Sequence, residues 1–213
     1  NLKSMESPLP KDFVRNKFKM NKEAMVIAYA GSLRSGRGID LIISISDKLK
    51  DFQFFIAGGT EQEIARYREI VRKKNIKNIK YVGYIPNGEL VKYLSAFDIL
   101  LMPYAKNLLS SGGKKINNTR WMSPMKMFEY MACGLPIIHA VNGVSAKIVN
   151  DFMSGIVVSS GDVDGISKAI LQYINDAELR RFNSDNAIKL VVDSYSRESL
   201  AVNYICILTI YIY

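Results

Sequence analysis

Short apolar segments that alternate with segments of helical periodicity run through this sequence from residue 25 to residue 190. Six of the apolar segments have the length of strands, and they cover residues 26–30, 52–57, 79–82, 99–102, 136–139 and 155–158. The segments between them place apolar residues at helical spacing. Strands that are separated by helices predict a parallel sheet with helices on both faces. The expected fold class is therefore α/β, with a Rossmann-like, doubly wound parallel sheet.

Helix signals support this interpretation. Thr60 and Glu63 form a capping-box pattern, which predicts that a helix begins directly after the second strand. Other helices are expected at 39–50, 88–96, 124–133, 145–150, 163–175 and 177–190. The connection 104–122 has no clear periodicity, and connections of that length inside a compact domain are commonly functional.

Composition limits the class of partner. The 213 residues include 29 Lys+Arg and 20 Asp+Glu, which gives a net charge of +9. This charge favours an anionic partner, but the basic residues are spread along the chain, so composition does not choose between nucleic acid, membrane and phosphate. Aromatic residues are not interleaved with Lys and Arg as in a stacking platform, so no nucleic-acid partner is expected. The 48% share of hydrophobic residues excludes a disordered chain.

Cysteine and histidine are too sparse to indicate a disulfide framework or a metal site. Cys133 and Cys206 lie outside any CxxC motif, so we expect reduced thiols, a cytoplasmic location and no metal. His139 is the only histidine, and we interpret it as a packed polar residue. Residues 1–22 lack the apolar stretch of a signal peptide. The apolar run 204–213 is shorter than the roughly 20 residues that span a bilayer.

A glycine-rich loop follows the first predicted strand and opens a helix. In doubly wound sheets, ligands bind beyond the carboxyl ends of the strands. Here the candidate ligand-binding residues are Gly31, Ser32, Arg34 and Arg37. Glycine allows close backbone approach, the helix N-terminus favours anions, and arginine suits phosphate. A P-loop is rejected because Gly38 stands where the motif needs Ser or Thr. The alternative is a glycine-rich turn with solvated arginines.

Two further loops carry candidate residues. After the third strand, Tyr84 and Ile85 could cover a base while the backbone meets its edge, although a tight Pro-Asn-Gly turn is the simpler explanation. The segment 123–129 begins a helix, with Ser123 at the N-cap. Lys126 in its first turn opposes the helix dipole, which suggests a bound anion. Glu129 could accept hydrogen bonds from sugar hydroxyls, or it could form an i,i+3 ion pair with Lys126.

Four segments, in this order, resemble the C-terminal, donor-binding domain of family-four type glycosyltransferases with the GT-B fold. They read YAGSLRSGRGIDLII, FIAGG, YVGYIPNGELVKYLSAFDILLMPY and SPMKMFEYMACGLPII. The order and spacing of four motifs are more specific than any one glycine loop. In that family two Rossmann-like domains face each other, and the C-terminal one binds the nucleotide-sugar donor. The resemblance therefore implies that this chain is one half of a GT-B fold.

The resemblance also implies residue roles. Arg37 and Lys126 are the expected catalytic residues, which hold the diphosphate and stabilise the leaving group. Glu129 would bind the ribose, and backbone N–H groups near Met125 and Met127 would complete the pocket. The sequence departs from the family pattern at two positions: Ser32 stands where Arg is common, and Trp121 stands where the pattern has an acidic residue.

The resemblance implies sugar transfer from a nucleoside diphosphate to a saccharide or lipid-linked acceptor, in surface polysaccharide or glycoconjugate synthesis. It implies retention of configuration, no metal and no cofactor, and contact with the inner face of the membrane is a further expectation. Residues 1–24 are expected to be a linker or a remnant of an upstream domain, 25–195 the nucleotide-sugar-binding domain, and 196–213 a C-terminal helix or apolar tail. Because no acceptor domain precedes residue 25, the chain is expected to be inactive alone.

Two alternatives remain open from the sequence. A nucleotide-sugar epimerase of GT-B fold would carry out its chemistry without an acceptor. A non-catalytic nucleotide-binding subunit of a split enzyme would leave catalysis to a partner chain.

Overall fold

The computed structural model describes residues 9–94, 96–105, 108–109, 115–116 and 125–195. In chain order the strands are β1 (Val26–Ala30), β2 (Gln53–Ala57), β3 (Ile79–Gly83), β4 (Ile99–Met102), β5 (Leu108–Leu109), β6 (Lys115–Ile116), β7 (Ile137–His139) and β8 (Gly155–Val157). Six of them form one parallel sheet in the order β3-β2-β1-β4-β7-β8. The other two, β5 and β6, pair with each other in antiparallel orientation. The predicted α/β fold with a doubly wound parallel sheet is confirmed.

Helices cover both faces of this sheet. They are α1 (Lys11–Lys17), α2 (Ile39–Lys48), α3 (Glu61–Lys73), α4 (Asn87–Leu94), α5 (Met125–Ala132), α6 (Val144–Asp151), α7 (Val163–Asn175) and α8 (Ala177–Leu190). A π-helical segment, Val191–Tyr195, continues α8. One apolar cluster lies between the sheet and α2, α3 and α7. A second cluster lies on the opposite face, against α1, α4, α5 and α8.

The first helix was not predicted from the sequence. Helix α1 is held to the sheet by Arg15, whose side chain is buried. The Arg15 guanidinium donates hydrogen bonds to the carbonyls of Ala96 and Ala24, both at 3.1 Å, and forms a 2.6 Å ion pair with Asp98. The described part of residues 1–24 therefore packs on the same body as the strands.

The predicted bounds of the other elements differ from the structure by a few residues. The helix predicted over 39–50 ends at Lys48, because Leu49 has left the helical conformation with φ −107° and ψ 66°. The helix predicted over 88–96 begins at Asn87 and ends at Leu94. Predictions for Trp121, Ser123 and the segment 196–213 lie outside the described residues.

The position of β1 determines where a ligand crevice forms. This strand lies between β2 and β4. The chain first adds β2 and β3 on one side of β1, and then β4, β7 and β8 on the other side. Its pairing with β2 continues to Ala30, opposite Ala57, whereas its pairing with β4 ends at Ala28, opposite Leu100. Strands β1 and β4 thus separate at their carboxyl ends. In doubly wound sheets this switch point is where ligands bind.

Candidate functional site

A cavity of about 870 Å³ lies at the carboxyl ends of β1, β2 and β3. It is formed by the loops that follow these strands, the first turn of α3, and one residue each from α4 and α5, Leu90 and Lys126. Six of the residues that the sequence selected line it together: Gly31, Ser32, Arg34, Tyr84, Ile85 and Lys126. Arg37 and Glu129 lie outside this lining.

Glycines bring the three strand ends close together. Gly31 N–H donates to the Ala57 carbonyl at 2.8 Å, and Gly58 N–H donates to the Gly83 carbonyl at 2.6 Å. At Gly58, φ is +114°, and an added Cβ would lie 2.0 Å from the Gly31 carbonyl oxygen. Any side chain there would force the loops apart. The cavity floor is therefore backbone.

Lys126 extends from the first turn of α5 to the end of β1. Its Nζ donates to the Ala30 carbonyl at 3.1 Å. Burial lowers the pKa of Lys126, the positive charge of Arg37 lowers it further, and Glu129 opposes the change. No ion pair joins Lys126 to Glu129 or to any other described residue, so the i,i+3 alternative is not adopted. The ammonium group is partly buried and close to Arg37, and no carboxylate of a described residue is bonded to it.

The two arginines of the glycine-rich loop take different positions. Arg34 is exposed at the cavity, and its backbone N–H donates to Ser32 Oγ at 3.3 Å. Arg37 lies beside the end of β4, with its guanidinium carbon 5.4 Å from the Tyr104 ring centroid. Neither arginine forms an ion pair with a residue that the structure describes. Arg34, Arg37 and Lys126 are thus three cations with no ion-pair partner among the residues that the structure describes.

The N-terminus of α2, directly after Arg37, adds positive potential to this region. The residue before α2 is Gly38, with φ +83°, and no side chain caps the helix. Its free N–H groups and positive dipole end suit an anion. By contrast, α3 is closed by its own capping box: Glu63 accepts from Thr60 N–H at 2.9 Å, and Thr60 accepts from Glu63 N–H at 3.2 Å. The predicted capping box is confirmed.

The other residues that the sequence selected lie in the loop after β3 or in α5. Tyr84 is 73% exposed at the cavity rim, and Ile85 is partly buried beside it. Glu129 is partly buried within α5, and its side chain forms no hydrogen bond with a described residue. Met127 is fully buried, so only its backbone is available to a ligand, and Met125 begins α5.

His139 is buried in the fold, as the sequence predicted. Its Nε2 lies 2.9 Å from Ser145 Oγ, and burial lowers its pKa to about 4. It is therefore neutral at physiological pH. Ser145 is also buried, so this pair is closed to a substrate.

The sequence did not single out the tyrosines that support the site. The Tyr29 hydroxyl donates to the Ser32 carbonyl at 2.8 Å. The Tyr130 hydroxyl accepts from Ala30 N–H at 2.9 Å and donates to the Ala30 carbonyl at 2.8 Å. The sequence did contain one sign of the role of Tyr130: it lies four residues after Lys126, a spacing that places both side chains on one side of α5.

The described residues offer neither a metal site nor a membrane span. They contain no group of three or more His, Cys, Asp or Glu side chains that could hold a metal ion. They also contain no helix that is long and apolar enough to cross a membrane.

Comparison with solved structures places this geometry among known folds. HepE from Anabaena, in complex with UDP, superposes over 100% of this chain and 56% of its own, with a TM-score of 0.78 and 14% identity. The C-terminal domain of LpcC, a glycosyl transferase group 1 family protein of Francisella tularensis, superposes over 92% of this chain and 98% of its own, with a TM-score of 0.70 and 18% identity. These similarities confirm the Rossmann-like fold.

The curated relatives match most of this chain, but the match covers only about half of each relative. A GDP-mannose-dependent mannosyltransferase of Corynebacterium glutamicum, which acts on a monoacylated phosphatidylinositol monomannoside, is 25% identical over 177 residues, 80% of this chain and 43% of its own. The lipopolysaccharide core biosynthesis glycosyltransferase LpsE of Rhizobium meliloti is 21% identical over 91% of this chain and 52% of its own. The chain thus spans about half the length of these relatives.

The family model described as "Glycosyl transferases group 1" matches residues 10–190. That match begins in α1 and includes every strand of the parallel sheet, the glycine-rich loop and α5. The chain therefore belongs to the group 1 glycosyl transferases.

Proposed function

We propose that this chain binds a nucleoside-diphosphate sugar in the crevice at the carboxyl ends of β1 to β4. The observation that carries the proposal is that Arg34 and Lys126 line the cavity and that Arg37 lies near enough to Lys126 to lower its pKa. None of the three forms an ion pair with a described residue. Two cations as close as Arg37 and Lys126 repel each other, and a bound anion would remove that cost. A diphosphate supplies that charge, and arginine matches its geometry.

The names of the related proteins support the same class of ligand. One curated relative is named for its dependence on GDP-mannose. The HepE structures contain UDP, UDP with glucose, or UDP-glucose. Since these proteins use different bases, they support a nucleoside-diphosphate sugar as a class rather than one donor.

The proposed reaction is transfer of the sugar to a hydroxyl of a saccharide or lipid-linked acceptor, with retention of configuration. The bond between the anomeric carbon and the β-phosphate oxygen breaks, and its electron pair stays on that oxygen. Arg37 and Lys126 stabilise this charge as it develops. The acceptor oxygen bonds the anomeric carbon on the face that the phosphate leaves, and its proton passes to the departing phosphate. No protein nucleophile and no metal take part in this scheme.

Other residues would orient the donor. The carboxylate of Glu129, free of hydrogen bonds to described residues, would accept from the ribose hydroxyls. The loop with Tyr84 and Ile85 would cover the base, while Ser123 and the backbone of Met125 and Met127 would approach the phosphate and sugar. In this proposal the acceptor binds to a separate protein surface, which would face the carboxyl ends of these strands. For the 213 residues alone we expect donor binding and at most slow donor hydrolysis.

Calorimetry with UDP, GDP and ADP, each compared with its nucleoside, tests the proposal. Because most proposed contacts are to phosphate, the preferred diphosphate should bind about 100-fold more tightly than its nucleoside, a difference of about 3 kcal/mol. Equal affinity would contradict the assignment of Arg37 and Lys126.

A variant pair makes the same experiment specific for the ribose contact. Glu129→Gln keeps the side-chain shape but removes a charged acceptor, so affinity for the diphosphate should fall about tenfold. The control is Glu178→Gln, an exposed glutamate on α8 that should leave affinity unchanged. Normal binding by Glu129→Gln together with a lowered melting temperature would assign Glu129 to the fold instead.

A further inference from the structure

The separation of β1 from β4 leaves two backbone groups of Ala30 without partners in the sheet. In a parallel strand, successive residues bond alternately to the two neighbouring strands. Gly31 N–H bonds Ala57 of β2, so the N–H and carbonyl of Ala30 face β4. The β1–β4 pairing has already ended at Ala28, and Ala30 is only 2% exposed. Buried backbone groups of this kind need hydrogen-bond partners from elsewhere.

Tyr130 supplies a partner for both groups. Its hydroxyl accepts from Ala30 N–H at 2.9 Å and donates to the Ala30 carbonyl at 2.8 Å. The hydroxyl therefore takes the place of the missing β4 backbone. Tyr130 is buried, and its ring packs in the core cluster that includes Met127 and Met131. This fixes one end of α5 against one end of β1.

Lys126 bonds the same carbonyl. It lies one turn before Tyr130 on α5, and its Nζ is 3.1 Å from the Ala30 oxygen. A carbonyl oxygen has two lone pairs, so it accepts from both donors at once. The Tyr130 hydroxyl is neutral and fully buried, whereas the Lys126 ammonium group is charged, partly buried and at the cavity.

The shared carbonyl has a consequence for anion binding. If Lys126 turns from Ala30 toward a phosphate, the carbonyl keeps its bond to Tyr130. Without the Tyr130 hydroxyl, the same movement would leave a buried carbonyl with no donor, which is unfavourable. Lys126 would then be retained on Ala30.

We propose that Tyr130 is a positioning residue, which keeps the end of β1 hydrogen-bonded so that Lys126 is free to bind the diphosphate. This inference rests on the proposed function. Tyr130 touches neither substrate nor reacting atoms in this role, and it acts through Lys126 and the Ala30 backbone.

Tyr130→Phe tests the proposal by removing only the hydroxyl. Affinity for the preferred nucleoside diphosphate should fall about tenfold, while affinity for the nucleoside should not change, because the effect passes through Lys126. Calorimetry on the full chain measures both. An equal loss for nucleoside and diphosphate would overturn the proposal, since it would indicate a general structural role.

A double-mutant cycle with Lys126→Met makes the coupling measurable. In the wild-type background, Lys126→Met should weaken diphosphate binding. In the Tyr130→Phe background it should have little further effect, because Lys126 already stays on Ala30. Additive losses would show that the two residues act independently, and would overturn the proposal.

The matched control is Tyr173→Phe. Tyr173 is a buried tyrosine of α7, and its hydroxyl donates to Asn183 Oδ1 at 2.9 Å and lies 3.3 Å from the Ile137 carbonyl oxygen. This variant should lower the melting temperature as Tyr130→Phe does, but leave both affinities unchanged. A parallel loss of diphosphate affinity in Tyr173→Phe would overturn the proposal.

A measurement on the wild-type chain covers the case in which Tyr130→Phe does not fold. The Ala30 amide should resist hydrogen exchange equally with and without nucleotide, because the Tyr130 bond persists. Loss of protection on binding would contradict the proposal. If the wild type shows no preference for the diphosphate, the proposed function fails; if it does and Tyr130→Phe retains it, only this inference fails.

Discussion

At the scale of single residues, His139 makes folding stability depend on pH. Burial lowers its pKa to about 4 in the folded chain, against about 6.5 for an unperturbed histidine. Between these values the unfolded state binds more protons than the folded state, so stability falls as pH is lowered through this window. The slope from this residue approaches about 1.4 kcal/mol per pH unit, and the total loss by pH 4 is about 3 kcal/mol.

Urea unfolding of the wild type and His139→Gln at pH 7.5 and pH 5 measures this effect. Glutamine keeps a polar group near Ser145 but does not titrate, so the variant should lose less stability than the wild type over this interval. Equal losses would mean that other groups cause the acid sensitivity and that His139 is protonated without cost.

At the scale of secondary-structure elements, Asp98 connects α1 to the sheet. Its carboxylate pairs with Arg15 at 2.6 Å and Lys11 at 2.7 Å, and it accepts from Val26 N–H at 2.8 Å. The Arg15 side chain is 3% exposed, so Asp98→Ala would leave a buried guanidinium without its counter-charge. We expect a loss of about 3 kcal/mol in the free energy of unfolding, measured in urea.

Lys11→Ala provides the comparison for that measurement. The Lys11 side chain is 48% exposed, so its ion pair with the same carboxylate should contribute about 0.5 kcal/mol or less. If both substitutions have equally small effects, α1 is not held by this carboxylate.

At the scale of the whole molecule, the candidate site exists only in the folded chain. Its residues come from the ends of β1, β2 and β3 and from α5, which are far apart in sequence. A ligand of this site therefore binds the folded state alone. A nucleoside diphosphate at about 100 times its dissociation constant should add about 2.7 kcal/mol to the free energy of unfolding.

Thermal unfolding with and without the diphosphate measures this stabilisation. The melting temperature should rise by several degrees, and the rise should shrink at high salt, because the exposed Arg34 is screened. The nucleoside is the control and should give a much smaller rise. An increase that does not depend on salt would argue against a phosphate contact with Arg34.

The sequence by itself determined the α/β class, the order of the six strands along the chain and two of the loops that line the candidate cavity, those after β1 and β3. It did not select the loop after β2, which lines the same cavity. These features depend on local patterns: apolar runs of strand length, helical spacing, glycine after a strand, and the capping box of Thr60 and Glu63. The four motifs also determined the family, which the match over residues 10–190 confirms.

Only the tertiary structure decided which partner each site residue takes. Local spacing allowed Lys126 an ion pair with Glu129, but Lys126 instead bonds the Ala30 carbonyl. Helix α1 depends on Asp98, and the end of β1 depends on Tyr130. Each of these contacts joins residues 80 or more positions apart. Such contacts depend on where β1 and β4 separate and on which face of α5 packs against the end of β1. Both depend on the packing of elements that are far apart in sequence, so no local sequence pattern predicts them.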